Sequence, residues 1–230
     1  MSIIAEKTTQ VVSEINQACL ATGRHPSEVA LLAVSKTRSA NEVREAYQQG
    51  LTRFGENYLQ EALDKIQELD DLPLEWHFIG PVQSNKTRQI AEAFDWVHSV
   101  DRLKIARRLS EQRPTDLPDL NVCLQVNIDD ESSKSGCSPD EALELARAIA
   151  ALPHICLRGL MAIPAASDDE TVQRLAFAKV RELAERIRAN GLAMDTLSMG
   201  MSGDLAAAIA EGSTLVRIGT ALFGPRAAKG

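Results

Sequence analysis

Eight short apolar runs, each followed by a longer amphipathic stretch, constrain this chain more than any single motif does. The runs are Ala30–Ser35, Arg53–Gly55, Glu75–Ile79, Trp96–Ser99, Asn121–Asn127, Cys156–Ala162, Thr196–Met199 and Leu215–Ile218. Between them lie helical patterns such as "ANEVREAYQQG", "NYLQEALDKIQEL", "DRLKIARRLSEQ" and "SPDEALELARAIAAL". Several open on Ser, Asn or Asp and close on Gly or before Pro, the residues that start and stop helices. A strand that continues into a helix pairs in parallel with its successor, because tight hairpins join only antiparallel strands. Eight such units in 230 residues predict a (β/α)8 TIM barrel, a fold that typically takes about 250 residues. An open doubly wound sheet is the rival, but neither G-x-G-x-x-G nor a Walker loop follows the first strand. No Pro/Gly/Ser-rich linker divides the chain, so residues 1–230 read as one domain, with an N-terminal helix over 1–24 and the barrel over 28–226.

The N-terminal helix is read from Ile4, Val11, Val12, Ile15, Cys19 and Leu20, which recur at helical spacing among Glu6, Lys7 and Glu14. That pattern is not a secretory signal with a basic start and an apolar centre. Cys19, Cys123, Cys137 and Cys156 include no C-x-x-C pair. They read as thiols of a reducing compartment, so the expected location is cytoplasmic. The formal charge is −7, and no basic stripe exists to neutralise phosphates, which argues against nucleic acid. The apolar runs are too short to span a bilayer.

In a barrel, side chains at the C-terminal strand ends converge on one mouth, where barrel sites lie. The first strand ends "AVSKT", placing Lys36 there; alone, it is equally the solvated end of a strand. The seventh ends "SMGMSGD", which would present the N–H groups of Met201, Ser202 and Gly203 at a helix start, an arrangement suited to an anion. Asp204 could instead serve as an ordinary cap. The eighth strand, "LVRIGT", offers Gly219 and Thr220 as a second source of N–H groups, and loops after strands 7 and 8 are the usual phosphate pair in barrels. Arg217 alternates with Val216 and Ile218, so it points opposite to them; it is either a half-buried residue reaching water or a cation facing the mouth. His77, between Trp76 and Phe78, reads as a satisfied core histidine. None of the four histidines pairs with another at ligand spacing, so no metal site is expected.

A lysine facing a phosphate cup suggests an aldehyde that carries a phosphate, such as pyridoxal phosphate. Partial desolvation favours the neutral amine that attacks aldehydes. An arginine against the pyridine nitrogen leaves that nitrogen only the acceptor role and weakens the ring as an electron sink.

"AVSKT", "FGENYLQE", "WHFIGPVQSNK", "SMGMSGD" and "VRIGTALFG" together resemble the pyridoxal-phosphate homeostasis protein family. The resemblance implies a fold-type III barrel similar to the N-terminal domain of alanine racemase. It implies pyridoxal 5'-phosphate held covalently as an internal aldimine on Lys36. Ser202, Gly203, Gly219 and Thr220 would hold the phosphate and Arg217 would face the pyridine nitrogen, while Asn57, His77 and Met201 would line the ring. The implied role is intracellular vitamin B6 homeostasis without robust catalysis, with PLP-dependent apo-enzymes as possible recipients of the cofactor.

Racemases of this barrel type add a second domain that supplies a catalytic tyrosine. Only about a dozen residues follow the eighth strand, and Tyr47 and Tyr58 fall in helical patterns, so a second proton partner is not expected. Nothing in the pattern demands a partner domain, so a monomer is expected. The alternatives are a racemase-like enzyme of low activity and an aldolase barrel whose lysine forms a Schiff base with a sugar phosphate. Lys134, in "DESSKSG", is either solvated or a second attachment point.

Overall fold

The computed structural model describes residues 2–129 and 135–225; Lys134 lies outside the described residues. Eight strands form a closed barrel in chain order, β1 (Ala30–Val34), β2 (Arg53–Glu56), β3 (Glu75–Phe78), β4 (Trp96–Val100), β5 (Leu120–Gln125), β6 (Ile155–Met161), β7 (Thr196–Ser198) and β8 (Leu215–Ile218). Every neighbouring pair is parallel, and β8 pairs back onto β1. Each expected strand is present, with ends displaced by a residue or two. The fifth stops early because the Asn127 N–H turns away to the carbonyl of Cys137.

The helices are α1 (Ile3–Ala21), α2 (Ala40–Gln48), α3 (Leu59–Glu68), α4 (Thr87–Ala93), α5 (Leu103–Gln112), α6 (Ala142–Ala150), α7 (Glu170–Ala189), α8 (Leu205–Ala210) and α9 (Thr220–Phe223). α1 stands outside the βα repeat, as expected. Ser2 caps it by accepting from the Ala5 N–H, and Ile4, Thr8, Val11, Ile15 and Cys19 make one buried stripe. That i, i+3/i+4 spacing lays the stripe against α8 and α9. Val12 and Leu20 stay exposed.

The main core lies between the strands' outer faces and the helices, with Phe54, Phe94, Phe177, Ile90, Ile105, Leu120 and Ile149 fully buried. The barrel interior is different. Trp96, Cys123 and Met161 form a separate small apolar cluster, and charged or polar side chains fill much of the remaining space. Among the described residues no helix is long and apolar enough to cross a membrane, no His/Cys/Asp/Glu group could hold a metal ion, and all four cysteines are free thiols.

Candidate functional site at the C-terminal mouth

Register brings the ends of β1, β2 and β8 together. Ala33 pairs with Ile218 and Val34 with Gly55, so Lys36 emerges with Asn57 on one side and Gly219 and Thr220 on the other. The approach to β8 is close: a Cβ on Gly219 would lie 3.3 Å from the carbonyl oxygen of Val34. Lys36 is half-buried.

The backbone around Lys36 is held from below. Lys65, 4% exposed, donates to the Ser35 carbonyl at 2.8 Å, to Glu56 Oε1 at 2.5 Å and to Glu61 Oε1 at 2.9 Å. The Ser35 hydroxyl donates to the same Glu56 oxygen at 2.6 Å, and Glu61 accepts from the Thr37 N–H at 2.5 Å. Thr37 has φ of 64°, a left-handed conformation uncommon for a non-glycine residue and maintained only where its surroundings over-determine it. Glu56 is fully buried; burial pushes its carboxyl up, against the opposing pull of Lys65 and Ser35. Ser39 and Glu42 then start α2 with a reciprocal capping box.

The loop after β2 is pressed onto the loop after β3, since a Cβ on Gly80 would sit 2.3 Å from the Asn57 carbonyl oxygen. The buried side-chain Oδ1 of Asn57 has no hydrogen-bond partner among the described residues.

After β7, Met201, Ser202 and Gly203 are exposed. The sequence expectation of three available N–H groups is corrected at Met201, whose N–H donates to Asp204 Oδ1 at 2.6 Å. Asp204 therefore closes the loop and makes no side-chain cap to α8. Among the described residues the N–H groups of Ser202, Gly203, Gly219 and Thr220 find no protein acceptor. The space that a Cβ on Gly203 would enter contains no atom within 4 Å.

Arg217 points inward, as the alternation requires, and is 5% exposed. Its NH1 donates to the Ser198 carbonyl at 2.6 Å and the Ser198 hydroxyl at 2.7 Å, and its NH2 to the Ala162 carbonyl at 3.0 Å. No carboxylate pairs with it among the described residues, and burial lowers its pKa to about 10, opposed by Asp204 and Cys123.

His77 is not at the mouth, so the expectation that it lines the ring is corrected. Both of its nitrogens are engaged inside the barrel, Nδ1 with His98 Nε2 at 2.8 Å and Nε2 with Glu75 Oε1 at 2.9 Å. Its ring stacks on Trp96 with centroids 5.3 Å apart. It borders a cavity of about 390 Å³ at the N-terminal strand ends, lined also by Ala30, Arg53, Glu75, Thr196 and Leu215. The satisfied core histidine is the reading that holds. Tyr58 also differs from expectation: it precedes α3, is 53% exposed, and lines a pocket with Asn57 on the mouth side. Tyr47 lies within α2.

Sequence reasoning missed His98, Ser198, Glu56 and Lys65. The available signal was polarity out of place: His98 interrupts "WVHSV", and Glu56 follows the apolar end of β2.

The set of donors, with one acceptor, suits a phosphorylated aldehyde ring. It combines one amine, an orphaned buried amide oxygen, a buried guanidinium beneath the mouth, and four N–H groups without protein acceptors. Together with the closed parallel barrel it defines the alanine racemase N-terminal domain class, whose family model matches residues 15–227. Within that class the chain belongs to the pyridoxal phosphate homeostasis protein family. It is 63% identical over 226 residues to the Pseudomonas aeruginosa member, covering 98% of this chain and 97% of that one. It is 54% identical over 230 residues to the Escherichia coli member, covering 98% of each. Among solved structures, PipY of Synechococcus elongatus with PLP bound superposes with a TM-score of 0.83 at 38% identity, over 96% of this chain and all of that one. Alanine racemase of Corynebacterium glutamicum shares the fold, with a TM-score of 0.70 at 19% identity over 96% of this chain and 61% of that one.

Proposed function

We propose that the chain binds pyridoxal phosphate at the C-terminal mouth, covalently through Lys36, and serves the cell's supply of that cofactor, the role named for its relatives. When bound, the group supplies an aldehyde that condenses with amines and a ring that can withdraw electrons. The protein's part is to hold it. Lys36 offers the amine, and the N–H groups of Ser202, Gly203, Gly219 and Thr220 suit a phosphate dianion. Asn57 accepts at the ring's edge and Met201 covers the mouth. Arg217 has only donors to offer, so a pyridine nitrogen meeting it must accept and stays unprotonated. The observation that supports the reading is the register of β1 with β2 and β8, which brings Lys36 to the same end of the barrel as the loops bearing Asn57, Gly219 and Thr220.

The same residues favour a carrier over a catalyst, because a donor-only partner weakens the ring as an electron sink. We place this carrier in the cytoplasm as a monomer, with apo-enzymes as the recipients of its cofactor. Tyr58 beside Asn57 is the observation that favours a weak racemase-like activity instead. The binding test is direct. Protein incubated with pyridoxal phosphate, reduced with borohydride and mapped by mass spectrometry should carry the label on Lys36. Label on Lys134 alone would move the attachment, and no labelled lysine with no colour would sink the reading.

A further inference from the structure

Five polar side chains, joined by four hydrogen bonds, run through the barrel interior from one end to the other. Arg217 NH1 donates to Ser198 Oγ at 2.7 Å, and His98 Nδ1 lies 2.8 Å from that same oxygen. His98 Nε2 lies 2.8 Å from His77 Nδ1, and His77 Nε2 lies 2.9 Å from Glu75 Oε1. β4 and β7 are not neighbours in the barrel, so the His98–Ser198 bond crosses the interior. Ser198, His98 and His77 are fully buried, whereas Glu75 is 40% exposed and borders the cavity at the N-terminal strand ends.

The protons in this chain are not interchangeable. Burial holds both imidazoles below their usual range, His98 strongly, so each is neutral and carries one N–H. Glu75 is held low by its bond to His77 and as a carboxylate can only accept. His77 must therefore carry its proton on Nε2, leaving Nδ1 to accept from His98 Nε2–H. His98 Nδ1 then accepts, and the Ser198 hydroxyl donates to it while its oxygen lone pairs face Arg217. Every proton points toward Glu75. The opposite polarity satisfies each internal bond too, but it requires Glu75 to donate. Other groups facing the chain are Arg53 and Asp95 around His77, and Asp204 and Cys123 around Arg217. None of these bonds to Ser198, His98 or His77.

We propose that Ser198, His98 and His77 are positioning residues whose hydrogen-bond polarity, set by the charge on Glu75 at the N-terminal end, fixes how Arg217 is presented at the C-terminal mouth. The proposal rests on the reading that Arg217 meets the ring nitrogen of pyridoxal phosphate. It makes the far end of the barrel a point from which the cofactor's electronic state is tuned. Cooperative polarisation along such a chain strengthens each bond in turn.

The test has two arms, one without cofactor. In histidine-¹⁵N-labelled protein without pyridoxal phosphate, His77 and His98 are expected as neutral Nε2–H tautomers between about pH 6 and 8. Glu75→Gln, whose amide can donate or accept, should give mixed tautomers at both. In protein loaded with pyridoxal phosphate, Glu75→Gln should shift the bound chromophore's absorption band and displace its pH profile, although Glu75 lies at the opposite end. Ser198→Ala, nearly isosteric, should weaken pyridoxal phosphate binding on the order of tenfold, about 1.4 kcal/mol. Nδ1–H tautomers in the wild type, or His98 unmoved by Glu75→Gln, would overturn the chain. A loaded Glu75→Gln protein with wild-type spectrum and pH profile would overturn its influence on Arg217. A wild-type protein that takes up no pyridoxal phosphate sinks the binding reading instead, and with it the tuning, while the tautomer arm still decides the chain.

Discussion

Lys65 donates to the carbonyl oxygen of Ser35 at 2.8 Å, so a buried ammonium grips the residue that immediately precedes Lys36. Its other two partners are carboxylates, and one of these, Glu61, also holds the N–H of Thr37. Lys36 is thus fixed by backbone bonds on both sides, and the energy of that arrangement sits in a buried ion pair. Replacing Lys65 by Met strands the buried Glu56 carboxylate, which should cost about 3–5 kcal/mol of folding stability. Chemical denaturation measures it directly. Glu61→Gln, at a partly exposed site that keeps an acceptor, should cost no more than about 1 kcal/mol. A Lys65→Met protein as stable as the wild type would mean that the cluster is solvated.

The two interior histidines predict an acid limit to stability. Folding depresses the pKa of both His77 and His98, so the unfolded chain binds protons that the folded chain refuses. Stability is therefore complete above the unfolded value, about pH 6.5, and falls as pH drops below it. Each histidine contributes at most about 1.4 kcal/mol per pH unit. Below about pH 4.5 the loss of the depressed Glu75 carboxylate adds to the decline; Glu56, whose carboxyl burial pushes up, takes its proton above that pH and there partly offsets the fall from the histidines. Urea titrations from pH 7 to pH 5 should show the fall, and His98→Asn should make it shallower.

The eight strands are legible in the sequence because each buries both faces and so reads as a short apolar run. For Arg217 the alternation with Val216 and Ile218 sets it on the face opposite theirs, but only the closed barrel decides that this face is the interior and that its head does not reach water. The interior chain was not legible. Its members come from β3, β4, β7 and β8, and the His98–Ser198 pair is 100 residues apart, so no local spacing announces it. It was the family resemblance that put His77 in the ring pocket; the residues alone read as a core histidine. Its neighbours in the sequence are apolar, and only closure of the barrel brings Glu75 and His98 to its two nitrogens. Tyr58 was misplaced because "NYLQEALDKIQEL" looks helical from its first residue, whereas α3 begins only at Leu59.

The close packing at Gly80 predicts a local effect on binding. A methyl group there would meet the Asn57 carbonyl oxygen at 2.3 Å, so the loop bearing Asn57 must shift. Gly80→Ala should weaken pyridoxal phosphate binding by roughly tenfold, about 1.4 kcal/mol, with the barrel intact by circular dichroism. Equilibrium titration with pyridoxal phosphate reads the first effect. Unchanged affinity would place Asn57 outside the cofactor's reach.

Arg217 separates a carrier from a catalyst. Wild-type protein loaded with pyridoxal phosphate and incubated with amino acids in deuterated water should exchange Cα protons well below about 1 per second, the lower end of ordinary turnover. Arg217→Glu sets a carboxylate against the carbonyl oxygens of Ser198 and Ala162, where Arg217 now donates. The unloaded variant should therefore be less stable by about 3–5 kcal/mol. Once loaded, its carboxylate gives a protonated pyridine nitrogen an acceptor, so the chromophore's band should move and Cα exchange should accelerate. An Arg217→Glu protein that binds the cofactor with an unchanged band and unchanged exchange would show that Arg217 does not meet the ring nitrogen. Wild-type exchange at enzymatic rates would instead assign the mouth a racemase-like role, with Tyr58 the first residue to replace.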